Sequence, residues 1–552
     1  MRLALLANVN VNSLARRLRR THDVHVAAGF GSWVQELVCP DSPTRQFGPD
    51  VIILLLDGSV LLRGIDPCDW ESAQRELDET LGWIESSASA LDKCALCVST
   101  LDVEQTRITS LKSERIERKA EHHWLDALSR LSNQFPNFFQ FDLKQMIENH
   151  GRRSFYDRKL WYAGGLRFGA EAEQVIAREI ERLLACIAGT RKKCLILDLD
   201  NTLWGGVVGE DGIDGIQLGD SGAAQRYKDF QQKIKDMQRT GVMLAVVSKN
   251  NWADAIEAFE KHPHMVLKPN DFVAMKIEWR SKVQCIAEIA DSLNVGLDSF
   301  VFVDDSAVER ESVRSALPEV VIPEFPVDTS LLPDFIGEIA RDHFMIRKTT
   351  EEDLKKTRLY REEAQRAASA KFAGSLEDFL CSLQTEIRIW RATDNDTARA
   401  AQLTQKTNQF NFTTRRYSEE DMKQLIASPE HFVFIASVSD RFGDSGKTLL
   451  SIIKVTGRHQ AHLDTFLMSC RVMGRHIEDQ VFDHICNDLH SLGYRQMAVE
   501  LMRTKKNAPA VEFVSRLDWQ KEREEGDRSI WSVDLSSSKI RCPPYARLLS
   551  LP

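Results

Sequence analysis

The feature that most constrains this chain is a short apolar run, Cys194 to Leu197, that ends in Asp198-Leu199-Asp200-Asn201-Thr202-Leu203-Trp204-Gly205-Gly206. The run reads as a buried strand. Two aspartates, one residue apart, stand at its exit. Carboxylates in that place are dehydrated on one side and open on the other. Oxygen ligands so arranged suit a hard cation such as Mg2+. A carboxylate can also attack phosphorus, splitting one hard step into two easier ones. A solvated acidic turn is the competing reading, and the rest of the chain decides between them.

The residues that follow repeat the arrangement. Val207 to Leu218 is rich in Gly and Asp and reads as a loop or flap. Ala224 to Arg239 reads as a helix. Met243 to Val247 is a second strand, ending in Ser248, whose hydroxyl suits a phosphoryl oxygen. Asn250 reads as the cap of the next helix. Lys276 and Lys282 flank Ile277 to Ser281; Lys282 opens a helix to Leu293, and its ammonium suits a carboxylate and a phosphate together, with Lys276 as the alternative. Phe300 to Val303 is a third strand and ends in Asp304-Asp305. In an open parallel sheet, ligands bind at the carboxyl ends of strands, and all these residues fall there. The intervals between strands hold no large cap domain, so an open site is expected.

The order Asp-x-Asp-x-Thr, Ser, Lys, Asp-Asp resembles the haloacid dehalogenase superfamily. The resemblance implies that Asp198 is nucleophile and Mg2+ ligand. It implies that Asp200 is general acid/base and a metal ligand through its backbone carbonyl. Thr202 would support their geometry, Ser248 and Lys282 would hold the phosphoryl group, Asp304 would be the third ligand, and Asp305 would stand behind it. Positioning and charge neutralisation are what phosphoryl transfer needs.

Residues 1–189 alternate strands and helices and read as an α/β sheet domain. Leu3–Leu6, Val24–Ala27, Asp50–Leu56, Ala95–Ser99 and Asn137–Phe141 are its strands. Asn12-Ser13 reads as a helix cap, Glu71 to Ala90 as a helix, and Glu171 to Ile187 as the closing helix. The arrangement is similar to the SGNH-hydrolase-like domain that precedes an Asp-x-Asp strand in some multidomain proteins. An active member needs Gly-Asp-Ser after the first strand, where this chain has Ala7-Asn8-Val9-Asn10. It also needs a late Asp-x-x-His, where this chain has Asp157-Arg158-Lys159-Leu160. The domain is therefore read as catalytically inactive.

Residues 346–552 form the last domain, after a central one at 190–345. Glu351 to Ala370 reads as a bridging helix. Strands at His431–Val438, Leu449–Val455 and Leu463–Met468 lead to Ser469-Cys470-Arg471-Val472-Met473-Gly474-Arg475 and a helix from Ile477 to Leu492. A strand, a basic Gly-containing turn and a helix N-terminus make an anion site from backbone N–H groups, with Arg471 and Arg475 beside it. The turn looks like the pyrophosphate-binding turn of GNAT-type acyltransferases, so a GNAT-like α+β domain is expected. Cys470, next to Arg471 and a helix start, has the surroundings that lower a thiol pKa. Cys194 and Cys285 compete with it, and a packed core thiol is the alternative. His459, His462 and His476 are candidate bases.

Composition narrows the class. The chain has 552 residues, 43% hydrophobic and 28% charged, which calls for several domains. Its net charge of −9 argues against generic nucleic-acid binding. No apolar run approaches a membrane span, and the start lacks a signal-peptide pattern, so a cytoplasmic protein with no membrane partner is expected. The 11 cysteines are scattered; Cys94 and Cys97 read as core thiols, not as a metal pair.

Taken together, Cys194–Gly206, Val207–Gly212, Phe302–Arg310, Gln405–Asn411 and Ser469–Arg475 resemble the FkbH-like family, over residues 190 to 520 or so. The fold implied is multidomain α/β: an SGNH-like domain, a Rossmann-like core without a large cap, and a GNAT-like α+β domain. The resemblance implies a glyceryl transferase and phosphatase that uses 1,3-bisphosphoglycerate and loads an acyl carrier protein, through its phosphopantetheine arm, for polyketide or related biosynthesis. Cys470 is the candidate for a thioester intermediate. A phosphatase acting on a small phosphorylated metabolite and a scaffold that recruits carrier proteins are the alternatives.

Overall fold

The computed structural model describes the chain except residues 30, 67, 92–93, 105–114, 294, 348–357, 360–361, 363–365, 367–374, 518, 537–544 and 552, and the side chains of 376 and 470. The expected helix from Glu351 to Ala370 lies almost wholly outside the described residues. The rest divides into two compact units: Met1–Arg191 with Arg341–Lys348, and Lys192–Ala340 with Thr349–Pro552. Residues 341–345, read from sequence as the end of the central domain, therefore belong with the first unit, as do 346 and 347 from the start of the last. There Asp342 accepts from Arg178 Nη2 at 2.7 Å and from Arg182 Nε at 2.6 Å.

The first unit is built on a parallel sheet of β1 (Arg2–Ala7), β2 (Asp23–Val26), β3 (Val51–Leu55), β4 (Ala95–Ser99) and β5 (Phe138–Phe141), in the order β2-β1-β3-β4-β5. The unbroken apolar run of β3 is buried along its whole length, as a strand covered on both faces must be. Leu3, Leu5, Ile53 and Leu55 pack with Ile176 and Ile180 of the 170–188 helix. Ala4, Leu6, Ile52 and Leu54 pack on the other face with Leu77, Ile84, Trp124 and Leu128. Alternate residues of one strand thus feed two cores. Asn12-Ser13 is not a side-chain cap; the helix begins at Asn12 without one, and Asn10 Oδ1 accepts from Asn12 N at 3.0 Å instead.

Strand order reverses between β1 and β3, the place where open sheets bind ligands. Here that crevice is filled by the protein's own ion pairs. Asn8 and Asp57 exchange hydrogen bonds, Asn8 Nδ2 to Asp57 O at 3.0 Å and Asp57 N to Asn8 Oδ1 at 2.8 Å. Arg167 Nε meets Asp57 Oδ2 at 2.7 Å and its Nη2 meets Glu104 at 3.0 Å. Tyr156 donates to Asp102 at 2.8 Å, and the Arg167 guanidinium lies 4.1 Å over the Tyr156 ring. Asp157 caps the 158–164 helix through Lys159 N and Leu160 N. Cys94 and Cys97 are buried core thiols whose pKa burial raises, that of Cys94 to about 11. Because the Asp57–Arg167 pair is buried, Arg167→Ala strands a buried carboxylate. The expected cost is about 3–5 kcal/mol, read as a lower urea midpoint for unfolding; an unchanged midpoint would contradict the burial argument.

The second unit holds two sheets. The smaller is parallel: β6 (Cys194–Leu197), β7 (Met243–Ser248), β8 (Phe272–Ile277) and β9 (Phe300–Val303), in the order β8-β7-β6-β9. The expected three strands are four; β8, with Lys276 on it, is the strand that sequence reading passed over. The expected flap at Val207–Leu218 contains a short helix, Val208–Gly215, kinked at Gly212 (φ 69°).

The larger sheet comprises β10 (Thr385–Arg391), β11 (Phe410–Asn411), β12 (His431–Asp440), β13 (Gly443–Gly457), β14 (Gln460–Met468), β15 (Gln496–Met502), β16 (Gln520–Glu525), β17 (Arg528–Asp534) and β18 (Ala546–Ser550). The order is β16-β17-β15-β14-β13-β12-β10-β18, with β11 on β14. It is mixed, with parallel pairs only at β14–β15 and β10–β18 among its described strands. The polar run after Trp519 is β16, an exposed edge strand whose charges discourage further pairing. The β14–β15 pairing stops at Leu463–Val499. Beyond it β11 pairs with β14, and Phe412 accepts from Met502 N at 2.7 Å, so this segment bridges the two strands where they part. Among the described residues no helix is long and apolar enough to cross a membrane.

Candidate active site

The centre of the small sheet is made by register. Leu197 of β6 pairs with Val303 of β9, and Asp198 N donates to Val303 O at 3.0 Å. Asp198 and Asp304 are therefore neighbours as each leaves its strand. Among the described residues, carboxylate oxygens of Asp198, Asp304 and Asp305 all lie within 4.8 Å of one another. Asp198 and Asp304 are buried, Asp304 completely.

Lys282, at the start of the 282–293 helix and 5% exposed, enters this cluster. Its Nζ lies 2.8 Å from Asp198 Oδ1 and 2.5 Å from Asp304 Oδ2. Burial opposes the ammonium charge, yet the two carboxylates outweigh it and hold its pKa above the usual value. Lys276 points elsewhere, to Glu288 at 2.6 Å. Burial, and then the Asp198 charge, push Asp304 up to about 6 against the pull of Lys282. The same two causes raise Asp305. Three carboxylates against one ammonium leave two negative charges, which one divalent cation balances. Asp198 Oδ1 is buried, and among the described residues its one polar partner is Lys282 Nζ. Such a donor set, oxygen-only and carrying more negative charge than Lys282 balances, fits Mg2+.

Asp200 is placed differently. Its Oδ1 accepts from Trp204 Nε1 at 2.9 Å and from Val208 N at 3.0 Å; its Oδ2 accepts from Asn250 Nδ2 at 2.8 Å. Its carboxylate is held by the flap and by the loop after β7, and is not part of the three-carboxylate cluster. Burial raises its pKa, resisted by the Val208 and Trp204 N–H groups. Thr202, fully buried, binds Asp305 rather than facing outward: Oγ1 donates to Asp305 Oδ1 at 3.3 Å and accepts from Asp305 N at 3.2 Å. Ser248 ends β7, 3% exposed, and its carbonyl accepts from Glu278 N at 3.0 Å. With Leu197 opposite Val246, it stands level with the start of the Asp198–Thr202 turn.

The turn is braced from below. Asn201 takes a left-handed conformation (φ 54°), and its side chain accepts from Gly206 N at 2.9 Å. Gly205 admits no side chain, since a Cβ would stand 2.8 Å from the Tyr227 ring. Gln231, fully buried, donates to Leu203 O at 2.8 Å and accepts from Val266 N and Leu267 N. Arg310 donates to the carbonyls of Asp304 at 2.9 Å and Asp305 at 2.7 Å, fixing the strand exit. Sequence reasoning gave Arg310, Trp204 and Gln231 no role and assigned Asn250 to a cap. The helix after Asn251 has no side-chain cap, and Asn250 serves Asp200. No spacing rule announces such contacts; they depend on which loops converge.

At the basic turn of the large sheet, expected as an anion site, both arginines are already engaged. Cys470–Val472 forms one tight turn; the Cys470 side chain lies outside the described residues. Arg471 Nε donates to Ser469 Oγ at 3.2 Å and Nη1 to Ser445 O at 3.4 Å. Arg475 is buried, with Nη1 2.9 Å from Asp440 and Nη2 donating to Arg471 O at 2.6 Å, so it braces the turn. The following helix carries Glu478 and Asp479 in its first turn, which already complement its positive end. Cys285 is buried near Glu278, and burial followed by that charge raises its pKa; Cys194 is fully buried. His459 meets Gly493 O, His462 lies near Glu500, and His476 pairs with Asp479; these three do not form one cluster.

The raised carboxylates set a pH sign. Each binds a proton more readily folded than unfolded, so the metal-free protein loses stability as pH rises from the ordinary carboxylate range through about 6. Cation binding offsets that loss and needs the deprotonated groups. Mg2+ is therefore expected to raise the thermal midpoint clearly at about pH 7.5 and little at about pH 5, by differential scanning fluorimetry. Equal shifts at both would contradict the carboxylate cluster as the binding site.

No family model matches the sequence, and no curated protein matches it. Among solved structures, the chain is similar to the N-terminal part of the protein BF1531 from Bacteroides fragilis, described as containing a phosphatase domain and complexed with Mg. Identity is 29%, covering 63% of this chain and 94% of that one, with a TM-score of 0.59. Weaker likenesses are the ribosomal-protein-S18-alanine N-acetyltransferase of Escherichia coli and the PaiA N-acetyltransferase of Thermoplasma acidophilum in complex with coenzyme A. They are each 14% identical, cover 28% and 27% of this chain and 97% and 99% of their own, and have TM-scores of 0.22. At such scores they say nothing of activity. The fold itself is a multidomain α/β one with parallel sheets.

Proposed function

We propose that this chain is a Mg2+-dependent phosphatase of the haloacid dehalogenase type that also transfers a glyceryl unit, from 1,3-bisphosphoglycerate to an acyl carrier protein. The observation that carries the phosphatase half is the cluster of Asp198, Asp304 and Asp305 around Lys282 at the exits of adjacent parallel strands. The likeness to the Bacteroides fragilis protein, with its phosphatase domain and Mg, supports it. The cation would be held by Asp198, Asp304 and the Asp200 carbonyl, beside Asp305, and would neutralise charge on the phosphoryl oxygens.

Asp198 is the nucleophile. Its carboxylate oxygen bonds to phosphorus as the ester oxygen leaves, and Asp200 gives that oxygen a proton. In the second half Asp200 takes a proton from water as the water oxygen attacks phosphorus and frees Asp198. Lys282 and Ser248 hold the phosphoryl oxygens, and Thr202 keeps Asp305 in place. On 1,3-bisphosphoglycerate this chemistry removes the 3-phosphate, an ester that does not leave unaided.

The acyl phosphate at C1 is already activated. A thiolate attacks the carbonyl carbon, the C–S bond forms, and phosphate departs with the C–O electrons. Cys470 is the thiol proposed, on the strength of the FkbH-like stretches. The phosphopantetheine thiol of the carrier then takes the glyceryl group by thioester exchange, held by Arg471 and the backbone N–H groups of the turn. A phosphatase acting on a small metabolite alone is the second reading. It is favoured by the engagement of Arg475 with Asp440 and by the acidic first turn of the 477–491 helix.

Intact-protein mass spectrometry separates the two. With Mg2+, 1,3-bisphosphoglycerate and phosphopantetheinylated carrier proteins, a glyceryl mass is expected on a carrier, lost in Asp198→Asn and Cys470→Ala. A glyceryl mass that survives in Cys470→Ala removes the covalent cysteine and keeps the transferase. Free phosphate without an acylated carrier supports the small-metabolite phosphatase instead.

A further inference from the structure

Asp200 is ringed by donors on three sides. Trp204 Nε1 and Val208 N both reach Oδ1, and an sp2 oxygen with two lone pairs is then fully engaged. Among the described residues Oδ2 receives only Asn250 Nδ2, at 2.8 Å. One lone pair of the carboxylate is left, and it belongs to Oδ2. Asn250 is itself oriented by its backbone neighbour, because its Oδ1 accepts from Asn251 N at 2.8 Å and so its amide nitrogen must face Asp200. Asn251 Oδ1 in turn accepts from Trp279 Nε1 at 3.1 Å. A chain of hydrogen bonds thus runs from Trp279, 72% exposed in the loop after β8, to the Asp200 carboxylate. Asn250 is 4% exposed, so water does not replace its amide easily.

We propose that Asn250 is a positioning residue that fixes which Asp200 oxygen, Oδ2, exchanges the proton with the leaving group. The inference rests on the reading of Asp200 as general acid. In the first half-reaction the Oδ2–H bond breaks and the proton goes to the ester oxygen, while the P–O bond breaks and the Asp198–phosphorus bond forms. In the second, Oδ2 takes the proton of the attacking water. With Asn250 absent, both Oδ2 lone pairs are open, the carboxylate rotates about the Oδ1 contacts, and the proton is no longer aimed.

A leaving group that departs without a proton is indifferent to this; an alkoxide is not. The test uses the full chain with Mg2+, p-nitrophenyl phosphate and 3-phosphoglycerate, in wild type, Asn250→Asp and Asn250→Ala. Asn250→Asp is nearly isosteric and keeps the acceptor for Asn251 N while losing the donor. The expected result is a kcat loss of about tenfold or more on 3-phosphoglycerate and less than about threefold on p-nitrophenyl phosphate, with KM unchanged. Equal losses on both esters, or none on either, overturn the inference. The Mg2+-induced thermal shift is measured for each variant; a variant that loses it makes Asn250 a structural residue and overturns the inference too. A wild-type protein that releases phosphate from neither ester overturns the phosphatase reading first, and this inference with it.

Discussion

The second unit's small sheet depends on a balance of charge around one ammonium. Asp198 and Asp304 bring like charges into a buried space, with the less buried Asp305 beside them, and Lys282 answers only part of that charge. Buried charge is costly unless it is paired or coordinates a metal. A sheet needs no such charges for its stability, since well-packed apolar residues serve as well or better. That this one is arranged around unsatisfied negative charge is the physical mark of a site.

Geometry explains why so few residues suffice. In a parallel sheet the strands leave in register, so two aspartates that follow paired residues arrive side by side without any long-range design. The rest is bracing. Arg310 ties the Asp304 and Asp305 carbonyls, Thr202 ties Asp305 to the Asp198 turn, and Gln231 ties that turn to the loop before β8. Each contact is made by a residue from a different element. A change in any one moves the carboxylates relative to one another, which is where phosphoryl transfer is most sensitive.

The β6, β7 and β9 strands and the residues at their exits were legible because apolar runs and the chemistry following them are local signals. The edge strand β8 was passed over, since Phe272 to Ile277 mixes apolar residues with Lys276 and resembles a loop. The Val208–Gly215 helix was hidden by three glycines, one of them left-handed. The role of Asn250 was not legible at all, because a residue after a strand reads as a cap until the partner at Asp200, fifty positions earlier, is seen. In the first unit the missing Gly-Asp-Ser and Asp-x-x-His were visible in sequence. What fills their place, the Asn8–Asp57–Arg167 network, was not. In the large sheet the sequence suggests an anion site with Arg475 beside it, whereas Arg475 already has Asp440.

The most direct test of the account is whether phosphate passes through Asp198. The full-length protein, mixed with Mg2+ and a phosphate ester and quenched rapidly in acid, would be digested and its peptides weighed. A phosphoryl group is expected on the peptide that holds Asp198, and none in the Asp198→Asn protein. Phosphate release with no labelled peptide, or a label on another residue, would contradict it.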